Sequence, residues 1–110
     1  MFKKIKDYLS IEKRKYLYKK NSYSFNGVDL LIAYLFKDFK KGVYVDIGAQ
    51  HPVSNNNTFL LFKKGWRGIN VDLDSESIKQ FNLMRKNDHN VNTLVTSKDN
   101  TISYNLFNDT

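Results

Sequence analysis

A carboxylate near the end of an apolar run, a glycine two residues on, and a second carboxylate one helix-length later can together hold a nucleoside. The first run is Val43-Tyr44-Val45-Asp46-Ile47-Gly48-Ala49-Gln50-His51-Pro52, and the second is Gly68-Ile69-Asn70-Val71-Asp72. Each reads as a buried strand whose carboxyl end carries an acid or a glycine turn, which is where open α/β sheets present ligands. Gly48 lets backbone approach a ligand closely, and Asp46 can accept hydrogen bonds from a hydroxyl or a cation. Asp72 stands 24 residues after Gly48, placed to accept the two hydroxyls of a ribose. The plainer reading of Asp72 is a helix cap, but Asp74 is better placed for that.

Other chemistries find less support. Gly48 has no companion glycines, so the G-x-G-x-x-G fingerprint is missing, and no G-K-[ST] follows to cradle phosphates. A nucleoside without phosphate is therefore the better ligand class. His51 and His89 are the two histidines and there is no cysteine, which argues against a metal site and excludes a cysteine nucleophile. His51 borders the proposed site, and imidazole is a side-chain type suited to taking and giving a proton, so it is a candidate base. In a loop before proline the commoner role is a hydrogen bond to backbone. No catalytic residue is assigned.

The elements that must position these residues follow from pattern. Residues 2–20 favour one or two helices, with Phe2, Ile5, Tyr8 and Leu9 on one face. Residues 21–27 are a polar break, and Asp29 opens a helix, apolar through Phe36, that Lys40-Lys41-Gly42 ends. Val43–Ile47 has the unbroken β-branched and aromatic character of a central parallel strand buried on both faces. Capping side chains from Ser54 to Thr58 precede a helix beginning at Phe59, which Gly65 terminates. Gly68–Asp72 is the next strand, and Asp74 or Ser75 caps a helix burying Ile78, Phe81, Leu83 and Met84. Phe59, Phe62, Trp66 and Phe81 sit at core-like spacings. Val91–Thr96 reads as a third strand and Thr101–Phe107 as a fourth, paired as a hairpin. Strands alternating with helices predict a parallel sheet.

The 110 residues allow one domain. There is neither an 18-residue apolar run nor a secretory leader pattern, so no transmembrane segment is expected and the expected location is cytoplasmic. Charge is concentrated at the start. Residues 1–20 hold eight basic residues against Asp7 and Glu12, +6 of the formal +7. The nearly neutral body argues against a specific nucleic-acid partner, which would need a basic stripe over the fold. The arm reads first as a solvated helix packed on its own domain through Phe2, Ile5, Tyr8 and Leu9. The alternative is a non-catalytic binding module whose arm touches an anionic membrane or RNA.

Several of these motifs, in order, resemble one family. Tyr23-Ser24-Phe25-Asn26-Gly27-Val28-Asp29-Leu30, Tyr44-Val45-Asp46-Ile47-Gly48-Ala49, His51-Pro52, Asn57-Thr58, Gly65-Trp66-Arg67-Gly68-Ile69-Asn70-Val71-Asp72, and Arg85 with Asp88 are similar to the N-terminal half of FkbM-type methyltransferases. The resemblance implies a Rossmann-like class I methyltransferase sheet over residues 23–110, truncated, behind a helical basic arm over 1–22. It implies S-adenosylmethionine as cofactor, with Asp46, Ile47, Gly48 and Ala49 facing the methionine part. Asp72 would bind the ribose, Leu73 would lie against the adenine, and Ser97 would stand on the adenine side. It further implies O-methylation of a sugar or natural-product hydroxyl. The chain departs from the family at Ser24-Phe25-Asn26-Gly27-Val28-Asp29, which lacks its Gln and Glu, at Asn56, at Lys86 and at Lys98. The family's later Lys-x-Asp-x-Glu-Gly motif has no counterpart, so the expectation is a cofactor-binding half, inactive at this length. A sheet cut short would also leave an open apolar edge and invite self-association.

Overall fold

In the computed structural model, residues 2–99, 101 and 103 are described, with backbone alone for 12–21. The chain is an α/β protein with a small parallel sheet. Among the described residues, four helices and three strands run in the order α1 (Phe2–Asn21), α2 (Val28–Leu35), β1 (Val43–Ile47), α3 (Phe59–Lys63), β2 (Arg67–Asp72), α4 (Ser75–Met84) and β3 (His89–Asn92). The strand order is β1-β2-β3, parallel throughout. Val43 pairs with Arg67 through to Ile47 with Val71, and Ile69 pairs with His89 through to Asp72 with Asn92.

The start of α2 is held by a carboxylate. Asp29 is fully buried and accepts from the Ser22 and Ser24 hydroxyls at 2.6 and 3.0 Å and from the Tyr23 and Leu30 amides at 2.6 and 2.9 Å. Burial pushes the Asp29 carboxyl up, but these four donors outweigh it and hold it below its ordinary value of 3.8. A carboxyl with a depressed folded pKa contributes stability above its unfolded value, and that contribution disappears as pH falls through the folded one. In urea melts across acid pH, Asp29→Asn should therefore lower stability at neutral pH and flatten the loss of stability below pH 3.8. A variant with the wild-type acid slope would show that the charge is not what ties residues 22–24 to α2.

Alternation along the strands sorts the sheet into two faces. Tyr44 and Asp46 share one with their register partners Gly68 and Asn70. Tyr44 packs there with Leu61 and Trp66, backed by Ile32 and Phe62. Ile78 and Phe81 of α4 form a second cluster with Ala49. Phe59 and Phe62 are half-buried, Phe62 against the first cluster, while Trp66 and Phe81 lie in the core. Gly65, with φ 102°, turns the chain out of α3 in a conformation costly to any residue with a Cβ.

Four expectations are corrected. Strand β1 is not buried on both faces: Val43, Val45 and Ile47 are 77, 60 and 61% exposed. The physical reason is its place in the sheet, since β2 is its one strand neighbour among the described residues and the packed helices lie on the Tyr44 face. The central strand is β2. On α4, Leu83 and Met84 are exposed, because at ~100° per residue they fall away from the face that Ile78 and Phe81 turn to the sheet.

The third strand is His89–Asn92 rather than Val91–Thr96. Asparagine side chains replace the apolar alternation that marks a strand. Asn90 accepts from Asn70 Nδ2 at 2.9 Å and donates to Asn82 and the Arg85 carbonyl, while Asn92 donates to the carbonyls of Asp72 and Leu73. The predicted Thr101–Phe107 strand and its hairpin lie outside the described residues.

The first helix also differs from expectation. Phe2, Ile5, Tyr8 and Leu9 are exposed rather than packed on the domain. No helix among the described residues is long and apolar enough to cross a membrane.

Candidate functional site

The carboxyl ends of the three strands meet at an open cleft of about 200 Å³, lined by Ile47, Gly48, Val71, Asp72, Leu73, Thr93, Leu94 and Val95. Its position follows from the register: pairing Ile47 with Val71 brings the turn after β1 beside the end of β2. Gly48 has φ 75°, in the left-handed region that favours glycine, and this bend lets its amide and that of Ala49 donate to the Val71 carbonyl at 2.8 and 3.1 Å. Gln50, also left-handed at φ 61°, donates its amide to Asp72 Oδ2 at 2.8 Å. Asp72 Oδ1 accepts the Asp74 amide at 2.8 Å.

Asp72 is thus employed in the fold, although it is not the helix cap. Asp74 does cap α4, its Oδ1 accepting the Glu76 amide at 3.0 Å. Each Asp72 oxygen keeps a second lone pair for a ligand hydroxyl, since an ionised carboxylate has about four acceptor sites. The two backbone bonds fix its orientation. With the amides of residues 48–50 all engaged internally, this turn offers no nest of free N–H groups for a phosphate, in keeping with the missing phosphate motifs.

Of the residues singled out from sequence, Ile47, Gly48, Asp72 and Leu73 line the cleft. Asp46, Ala49 and Ser97 do not. Asp46 lies on the helix-bearing face, where its Oδ2 accepts from the Thr58 hydroxyl at 3.3 Å. Burial raises its pKa above the ordinary carboxylate value, the Asp72 charge adds to that, and Thr58 and Arg85 oppose it. Ala49 is buried against Ile78 and Phe81, and Ser97 is exposed. His51 is not among the lining residues and serves the backbone: its Nδ1 accepts from the amides of Val53 and Ser54 at 3.1 and 2.9 Å, which occupies that nitrogen.

Sequence reasoning missed Thr93, Leu94 and Val95, because it counted them as strand. The chain instead leaves the sheet after Asn92, with the Thr93 amide donating to the Asp72 carbonyl at 3.1 Å, and residues 93–95 wall the cleft. The resemblance did include Arg85 and Asp88, but not what they do. Arg85 is fully buried and its guanidinium donates to Asp88 Oδ2, Tyr44 Oη, Thr58 Oγ1, Asn56 Oδ1 and the Pro52 carbonyl at 2.6–3.3 Å. It lies about 5 Å from the ring centres of Tyr44, Phe62 and Phe81.

Asp88 accepts in turn from the Tyr44 hydroxyl, the Gly68 amide and Asn70 Nδ2. Burial and this carboxylate push the Tyr44 phenol well above its ordinary pKa, so it remains a neutral donor. The network ties the loop after β1 to β2 and to the end of α4. Asn56 completes it: Nδ2 donates to the His51 carbonyl at 2.8 Å, and Oδ1 accepts the Phe59 amide at the start of α3 at 2.7 Å.

What the fold and cleft define is a class: an α/β protein with an apolar cleft and one oriented carboxylate at the ends of a parallel sheet. No family model matches the chain, and neither a curated protein nor a solved structure does. No group of three or more His, Cys, Asp or Glu side chains among the described residues is arranged to hold a metal ion.

Proposed function

We propose that the cleft binds the nucleoside part of S-adenosylmethionine and that the chain is the donor side of a methyltransferase resembling the FkbM type. The observation that carries this reading is the Gln50 amide to Asp72 Oδ2 bond, which joins the glycine turn and the second acidic strand end at one cleft. In this reading Asp72 accepts the ribose hydroxyls, and the adenine lies against Leu73, Leu94 and Val95. Ile47 and Gly48 face the methionine part. The volume is below the ~300–1,000 Å³ typical of enclosed ligand pockets, which suits one flat ring held in the cleft with the remaining groups over its rim.

Methyl transfer from a sulfonium needs the acceptor aligned with the methyl group and a base for its proton. The acceptor class carried by the resemblance is a sugar or natural-product hydroxyl, and no residue here is assigned as the base. Calorimetric titration with S-adenosylhomocysteine tests the donor site. Saturable binding by the wild type is expected, with a loss of at least about tenfold in Asp72→Ala, roughly the worth of a hydrogen bond to a charged group. Asp72→Ala also frees the Gln50 and Asp74 amides, so Leu94→Asp, which charges the cleft wall without touching those bonds, serves as the second variant. A folded wild type that does not bind, or binding indifferent to both substitutions, would overturn the proposal.

A further inference from the structure

Helix α1 presents a surface that the cleft does not explain. Phe2, Ile5 and Leu9 follow one another at intervals of three and four residues and are 80, 49 and 59% exposed, so they form one stripe along the helix. Tyr8 lies beside it and is exposed as well, while the exposed Ile11 falls on the opposite side of the helix. Lys3, Lys4 and Lys6 are interleaved with the stripe, with Asp7 the one acidic residue among positions 2–11. The rest of the helix sequence adds Lys13, Arg14, Lys15, Lys19 and Lys20 against Glu12, while the chain from residue 21 onward is nearly neutral. Apolar side chains in water beside a concentrated positive charge call for a partner that is apolar and anionic together.

We propose that α1 lies in the interface of an anionic phospholipid surface and holds the sheet domain there. Phe2, Ile5 and Leu9 enter the boundary between headgroups and acyl chains, and the lysines meet the anionic headgroups. Charge complementarity selects this occupant over the others. A second copy of α1 would bring two strongly positive helices together. A nucleic acid would satisfy the lysines but not the aliphatic Ile5 and Leu9, since its bases stack on aromatic rings. The helix rests on the surface and does not span it, being too polar to cross. This assignment is independent of the cleft and its ligand.

The test is co-sedimentation of the full chain with vesicles of phosphatidylcholine alone and of phosphatidylcholine mixed with phosphatidylglycerol. Binding to the mixed vesicles, weakened by added salt and absent with phosphatidylcholine alone, is the expected result. The triple variant Lys3→Gln, Lys4→Gln, Lys6→Gln should bind on the order of 100-fold more weakly. Ile5→Asp with Leu9→Asp should abolish binding without changing the far-ultraviolet spectrum of the sheet domain. Equal binding to both vesicle types, or insensitivity to the two variants, overturns the proposal. So would a chain that ignores vesicles but binds RNA or dimerises through α1.

Discussion

Arg85→Ala should cost about 3–5 kcal/mol of stability, the range found when one partner of a buried ion pair is removed. Against the roughly 5–15 kcal/mol that holds a small domain folded, that removes from about a fifth to nearly all of the margin. The magnitude comes from what is left behind. Asp88, whose side chain is fully buried in the ion pair, would retain its neutral donors Tyr44, Asn70 and Gly68 but lose its countercharge. Asn56, Thr58 and the Pro52 carbonyl would each lose a guanidinium donor. Arg85→Lys should recover little of the loss, because one ammonium cannot serve acceptors spread around a planar fork.

Trp66, the single tryptophan, is buried beside Tyr44, so urea unfolding followed by its fluorescence measures the effect directly. Pairing Arg85→Met with Asp88→Asn should be milder than Arg85→Met alone, since no buried charge is then stranded. An Arg85→Ala chain that unfolds within about 1 kcal/mol of wild type would mean the network is not what ties the loop to the strands.

The second large effect is expected at Gly68. This glycine faces Tyr44 across the β1–β2 register, and a Cβ there would lie 2.0 Å from the Tyr44 carbonyl oxygen and 2.4 Å from its ring. One of these atoms is backbone, so relief requires the two strands to part. Overpacking in a core usually costs about 1–3 kcal/mol and sometimes more, and Gly68→Ala belongs at or above the upper end. Strand separation here would carry a functional consequence. The same register places Gly48 beside Asp72, so under the proposed function loss of S-adenosylhomocysteine binding should accompany any residual folding. Gly65→Ala is the control: it meets no atom within 4 Å and should cost only the ~1–2 kcal/mol of a left-handed backbone. If Gly68→Ala proves no worse than Gly65→Ala in the same urea melts, the close approach is not a constraint on the sheet.

These two positions also show what is hard to see in one dimension. Gly68 looks like an ordinary strand start, and its constraint exists only because Tyr44 is opposite. Arg85 looks like a surface basic residue after a helix, and only the fold surrounds it with Asp88, Tyr44, Thr58 and Asn56.

The elements whose signals are local were legible from the chain. Val43–Ile47 and Arg67–Asp72 are strands because β-branched and aromatic runs are bounded by turns, and Asp74 and Gly65 mark a helix start and a helix end by their own backbone chemistry. Strand β3 was displaced because its stabilising contacts are asparagine side chains bonded to Asp72, Leu73, Asn82 and Arg85, which leave no hydrophobic period to read. The neighbours of each face were likewise illegible. Val45 reads as core by composition, yet it is exposed because strand order and the side on which helices pack are decided between elements.

The same division runs through the candidate site. Residue types and spacing by themselves determined that a glycine turn and an acidic strand end exist one helix-length apart, and that phosphate and thiolate chemistries lack their motifs. Tertiary structure alone decided that Gly48 and Asp72 share a cleft, that Asp46 turns to Thr58 instead, and that residues 93–95 form the wall. A side chain's type is carried by the chain itself, but its neighbours across a parallel sheet are set by register and crossover, through contacts between residues distant in sequence.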